Sequence, residues 1–176
     1  YGPCAFMDVF HPQCVFSSID QGARYAYGNQ PDIGLWNLTR FAETLLPLLS
    51  EDADGAQGKA ESALFGYQER FSAQCTARFR AKLGLSGEAP AELIQECLDL
   101  LAAGEADFTV FFRDLTRIAD GGTSEMITAM CAGSAAFATW FATWHREVDP
   151  AAHLADMRAA NPMLIPRNHR VEHAIQ

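Results

Sequence analysis

From Pro31 to Gln176 the apolar residues recur three or four positions apart, and no stretch shows the alternation of an exposed strand. That period restricts the chain to an all-α architecture. In "PDIGLWNLTRFAETLLPLLS" the helical positions are Leu35, Leu38, Phe41, Ala42, Leu45 and Leu49, with Pro31 suited to a first turn. Apolar residues there crowd more than one face, which predicts a well-buried helix that Pro47 bends or ends. The acidic "EDADG" reads as a solvated connection. The longest helical signal follows in "KAESALFGYQERFSAQCTARFRAKLGL", with a stripe of Leu64, Tyr67, Phe71, Cys75, Phe79 and Leu83 and a stop at Gly84.

Three more helices have cap chemistry or a clear stripe. "SGEAPAELIQECLDLLAAG" buries Ile94, Cys97, Leu98 and Leu101. Asp107 is placed to cap "FTVFFRDLTRIADGG", whose inward face is Phe108, Phe111, Phe112, Leu115 and Ile118. The β-branched and aromatic run 109–112 has strand character, but the residues after it keep the 3.6 period. Ser134 caps a helix burying Phe137, Trp140, Phe141, Trp144 and Val148. Asp149 and Pro150 begin another helix, and "MLIPRNHRVEHAIQ" reads as a turn followed by a last one. Residues 1–31, rich in Gly, Pro, Ser, Asn and Gln, lack any period. An irregular segment of that length in a compact protein is usually functional.

At 176 residues the chain fits one domain, able to bury roughly two-thirds of its unfolded surface. Its net charge of −9 and the absence of a Lys/Arg stripe argue against nucleic acid as a partner. No apolar run approaches the ~20 residues of a membrane span, and no signal peptide is visible. Cysteines stand at 4, 14, 75, 97 and 131 with no CxxC and no Cys/His ligand spacing. A disulfide framework and a zinc site are both disfavoured, and reduced thiols in a cytoplasmic protein fit the pattern.

Most chemistry-bearing residues have an ordinary structural explanation. His145 and His169 lack carboxylate or cysteine partners at ligand spacing, Trp140 and Trp144 belong to a core face, and Ser17 and Ser18 have no nucleophile-elbow context. Met126 and Met130 read as gap-filling core residues. Two stretches are not built for a core: "DQGARYAYGNQP" and "NPMLIPRNHRV". Arg24 offers a planar donor fork for a carboxylate such as Asp20 or for a phosphate, and Asn29 and Gln30 can bond the backbone ahead of the helix. Side-chain chemistry alone leaves functional docking and structural bracing equally open.

At these stretches the chain resembles the selenoprotein O (SelO) family of protein kinase-like proteins. The residues carrying the resemblance are "YGPCAFMD", "FSSIDQGARYAYGNQPDIGLWNL" and "NPMLIPRNHRV", and the match is strongest over 1–49 and 157–172. The resemblance implies a kinase-like fold and transfer of AMP from ATP, with Mg²⁺, to hydroxyl side chains of other proteins. In the family an Asp precedes the Tyr-Gly-Pro and holds the catalytic metal, so the ligand is expected immediately before Tyr1, with the other nucleotide ligands further upstream. Residues 1–31 would be the activation segment, 32–49 a buried helix anchoring the C-lobe with Trp36 inside it, and 32–176 the C-lobe with family-specific helices.

The implied substrate platform is Asp20, Arg24, Tyr25, Tyr27, Asn29 and Gln30. Two departures stand out. The family's C-terminal redox residue lies beyond the "PRNHRV" motif, where this sequence has ended, and Cys14 lies in the loop where some relatives carry a redox cysteine but not at a clearly matching position. Ala23 replacing a glycine is a milder change. The expectation is thus a C-terminal fragment, inactive alone, of a cytoplasmic AMP transferase that acts on protein substrates and binds neither nucleic acid nor membrane. A helical protein-binding or regulatory module, and a nucleotide-binding pseudokinase without transfer activity, are the competing expectations.

Overall fold

The computed structural model describes residues 6–176, and among these the regular structure is entirely helical. Tyr1 and Cys4, singled out in the sequence, lie outside the described residues. After irregular backbone over 6–26 and a 3-10 turn at Tyr27–Asn29 come α1 (Gln30–Leu49), α2 (Ala53–Phe65), α3 (Tyr67–Leu83), α4 (Glu92–Ala103) and α5 (Phe108–Ala119). Then follow α6 (Glu125–Gly133), α7 (Ala135–Glu147), α8 (Pro150–Ala160) and α9 (Asn168–Ile175). No helix among the described residues is long and apolar enough to cross a membrane.

Boundaries fall where side chains satisfy the free amides of a first turn. Asp107 accepts from the Val110 amide, Ser134 from Phe137 and Asp149 from Ala152. Gly84 ends α3 in the left-handed region at φ 66°, as its place after Leu83 predicts. A Cβ at Gly84 would lie 2.5 Å from Met157 Sδ, so close packing as well as φ demands glycine.

Four expectations are corrected. The acidic "EDADG" is not a connection: Asp52 accepts from the Gly55 amide and so starts α2 at Ala53. The long helix over 59–83 is two, separated at Gly66, whose ψ of 11° departs from the helix and whose low helix propensity permits the break. Of the predicted stripe only Phe79 and Leu83 are buried in α3, and Phe71 is exposed. The nine-residue α6 has no counterpart among the expected helices; Ser124 caps it, its side chain accepting from the Ile127 amide.

The fourth correction concerns α1. It runs through Pro47 to Leu49, yet contains no buried residue. Trp36 is 48%, Phe41 60% and Leu48 81% exposed. The helix packs on α2, α3 and the 3-10 turn, and these cover only part of its apolar surface. A helix apolar on several faces is buried only if several neighbours surround it.

The core lies instead among α3, α4, α5, α7 and α8. Leu83, Leu101, Phe111, Phe112, Leu115, Phe137, Trp144 and Met157 are almost wholly removed from solvent. Phe111 carries α5 onto α7 through an edge-on contact with Phe137 (6.1 Å between centroids) and a tilted one with Trp140 (6.0 Å). Trp144 Nε1 donates to the Leu83 carbonyl at 2.8 Å and Trp140 Nε1 to the Leu93 carbonyl at 2.9 Å, which ties α7 to α3 and α4. Met126 and Met130 pack at the margin of this cluster, as expected.

Candidate functional site

The two non-core stretches are held by hydrogen bonds, as their composition requires. Asp20 accepts from two backbone amides, Arg24 at 2.9 Å and Tyr25 at 2.7 Å. Asn29 Nδ2 donates to the Ala23 carbonyl, and Gln30 Nε2 to those of Tyr25 and Ala26. Ala26 is fully buried beneath this loop. The amides of Tyr27 and Gly28 donate to the carbonyls of Cys14 and Pro12, which fixes the loop to the preceding segment. Ala23 sits at φ 54°, a left-handed conformation that glycine would adopt without the ~1 kcal/mol cost an L-residue bears.

The six residues expected to form a substrate platform therefore divide. Asp20, Asn29 and Gln30 brace the loop from within. Tyr27 turns inward, its ring edge-on to Phe10 at 5.7 Å, and burial raises its hydroxyl above the ordinary tyrosine value. Arg24 does not pair its guanidinium with Asp20. It lies over the Trp36 ring, 4.6 Å from the centroid, and 5.7 Å from the Tyr25 ring, without a carboxylate partner among the described residues. Arg40 approaches the same indole at 5.7 Å, while its own charge is paired to Glu43. Trp36 thus presents one uncommitted guanidinium on an exposed face.

The "PRNHRV" stretch meets the start of the chain. Arg167 Nη1 bonds both Asp8 and Asp107, and its Nη2 reaches Asp107 Oδ1 at 3.1 Å. The two carboxylates push the Arg167 pKa above its ordinary value. Asp107 serves this clamp while its Oδ1 still caps α5, accepting from the Val110 amide at 2.8 Å. Backbone bonds from Phe10 to Ala106 and from Phe108 to Asp8 complete the junction. Asp8 and Arg167 lie in stretches the sequence singles out, but nothing there pairs them. They are 159 positions apart, and no local pattern links them.

The Cys14 thiol is raised by burial and then by the charge of Asp8, which lowers its thiolate fraction. Cys14, Cys75, Cys97 and Cys131 are all free thiols. Among the described residues no three His, Cys, Asp or Glu side chains converge as a metal site, so no metal-dependent step is assigned to them. His145 packs beside Phe141, and His169 lies exposed on α9.

The chain is 50% identical over 184 residues to a protein nucleotidyltransferase YdiU of Rhodopseudomonas palustris, which it matches with its whole length and 37% of that protein's. It is 48% identical to the protein of the same name from Rhizobium leguminosarum, with the same coverage. A third, from a Mycobacterium species, is also 48% identical, with 99% of this chain and 36% of the relative aligned. The chain therefore spans little more than a third of the curated relatives it matches. The sequence model of the family described as Protein adenylyltransferase SelO matches residues 1–176, and the chain belongs to that family.

Proposed function

We propose that the chain is the C-terminal, mostly C-lobe-like part of an enzyme that transfers AMP from ATP to Ser, Thr or Tyr hydroxyls of proteins. Loop 20–31 shapes the surface on which the acceptor protein rests. The observation that carries this is the placement of Arg24. Asp20, Asn29 and Gln30 fix the loop backbone, so the Arg24 guanidinium is not needed to hold it. It lies instead over the Trp36 ring, 4.6 Å from the centroid, on a residue that stays exposed to solvent and to an incoming protein.

ATP and Mg²⁺ would be held by residues outside the described ones. The part assigned to this chain is positioning. A fixed guanidinium can hold a carboxylate or phosphate of the incoming protein and bring a neighbouring hydroxyl into range. The exposed apolar face of α1 supports the same reading, since patches of this kind are usually covered in the functional protein. That face also supports a second reading, a helical module whose main work is to bind protein.

Arg24→Ala in the full-length protein separates the two. It should lower AMP transfer at least ~10-fold, about 1.4 kcal/mol of barrier. ATP binding should persist, and Arg24→Lys should recover only part of the rate because a point charge lacks the fork. Transfer at the unaltered rate in Arg24→Ala would refute the platform.

A further inference from the structure

Between the two non-core stretches lies a cavity of about 310 Å³. Phe6, Phe16 and Tyr27 wall it from the N-terminal segment, and Asn161, Pro162 and Ile165 from the opposite stretch. Phe108, Thr109 and Phe112 of α5 form a third side, and Lys82 of α3 reaches in beside them. It opens next to Phe6 and Pro162, both exposed.

Lys82 is the unusual member. It is more than half withdrawn from water, and burial lowers its pKa. Its ammonium donates to the Ala160 carbonyl at 2.9 Å and to Asn161 Oδ1 at 3.2 Å, both uncharged acceptors. The Phe112 and Phe108 ring centroids lie 4.9 and 5.3 Å away. No carboxylate pairs with it among the described residues. Asn161 is itself fixed by donating to the Lys82 carbonyl and to Thr116 Oγ1, so the ammonium has little freedom to leave. Tyr27 and Thr109 also line the cavity, and neither side chain makes a hydrogen bond among the described residues.

We infer that this cavity binds a small monocarboxylate with an aromatic or short apolar body. A lone, partly buried cation on a wall that Tyr27 and Thr109 also line matches one negative charge, with two hydroxyl-bearing residues on the same cavity to meet its lone pairs. The surrounding phenylalanines match an apolar body, and the volume is at the lower end for small-molecule sites, ~300–1,000 Å³. A phosphate dianion fits poorly. It would lose its hydration to a single ammonium and a largely apolar wall.

Calorimetry and ligand-observed NMR on the full-length protein, with phenylacetate and its uncharged amide as probes, test the inference. Phenylacetate should bind with a dissociation constant on the order of 1 mM, as suits so small a ligand, and phenylacetamide at least ~10-fold more weakly. Lys82→Met should bring the acid's affinity down to that of the amide. Thr109→Phe, which fills the cavity and leaves the Lys82 side chain in the protein, should abolish binding of both. Equal affinity for acid and amide, no binding of the acid, or an acid preference that survives Lys82→Met overturns the inference. If Lys82→Met does not fold, the acid–amide pair measured on the unaltered protein and on Thr109→Phe settles the question. Phenylacetate binding that survives Thr109→Phe overturns it too, since the acid would then be held elsewhere.

Discussion

The two indoles of α7 make a matched experiment. Trp144 and Trp140 are one turn apart, 0% and 3% exposed, and each donates its Nε1 hydrogen to a backbone carbonyl. The acceptors differ. Leu83 is the last residue of α3, so its carbonyl is one of the four without an intrahelical partner, and the indole of Trp144 is its donor. Leu93 is the second residue of α4, so its carbonyl also receives the regular bond from the Cys97 amide. Replacing either indole by phenylalanine leaves a void of about 40 Å³, worth ~1 kcal/mol at ~24 cal/mol per Å³. At Trp144 a buried carbonyl is stranded as well, for about 1–3 kcal/mol more. Trp144→Phe should therefore cost about 2–4 kcal/mol and Trp140→Phe ~1 kcal/mol. Urea unfolding followed by far-ultraviolet circular dichroism, with m unchanged between variants, gives both numbers. Equal losses, or a larger loss at Trp140, would refute the reasoning, because the difference rests on the acceptor and not on the ring.

Other consequences are open to measurement. Gly84→Ala should cost about 2–4 kcal/mol, combining a left-handed backbone with the clash against Met157, and a denaturant midpoint equal to the parent's would exclude that packing. Arg167→Met should cost about 1–2 kcal/mol, because the clamp is partly exposed, and the loss should shrink in high salt; a salt-independent loss would mean that packing dominates. Burial raises the Cys97 thiol above its ordinary 9.0, so the folded state keeps a proton that the unfolded state releases, and this group's contribution to stability falls as pH rises past 9.0. Native-state alkylation should accordingly spare Cys97, and rapid labelling without unfolding would contradict the burial. The 176-residue chain should bind ATP with Mg²⁺ only weakly, in the ~mM range, and a micromolar affinity by calorimetry would oppose the assignment of nucleotide ligands to residues outside it.

How much of the fold is legible in the sequence depends on whether the deciding interaction is local. Asp107, Ser134, Asp149 and Gly84 act within a few residues of themselves, and the boundaries they set are readable. Asp52 acts just as locally, but in "EDADG" it looks like one more solvated charge, which hides the start of α2. Gly66 is hidden for the opposite reason. The apolar period continues across it, and a glycine breaks a helix only when the packing around it favours the turn. Burial of α1 is the least readable property, because a side chain's exposure depends on its neighbours and not on its own polarity.

The site shows the same division at greater range. That Asp20, Asn29 and Gln30 bond the backbone follows from their chemistry and from a loop with few aliphatic residues. That Arg24 leaves Asp20 for Trp36 does not follow. Each oxygen of that carboxylate already accepts a backbone amide, and Trp36, just over one helical turn beyond Pro31, offers a flat apolar surface that a weakly hydrated guanidinium prefers to open water. Arg167 extends the argument across the whole chain. The two irregular stretches it joins, 6–26 and 161–167, carry Pro12, Pro162 and Pro166 and no helical period, so nothing within them can set their direction. One guanidinium bonded to Asp8 and to the cap of α5 supplies that direction for both ends at once. The same junction leaves the space in which Lys82 meets phenylalanine rings in place of a carboxylate. Irregular segments joined by a charge clamp pack less completely than helices do, and here the unfilled volume falls next to a cation whose charge no side chain in the described chain offsets.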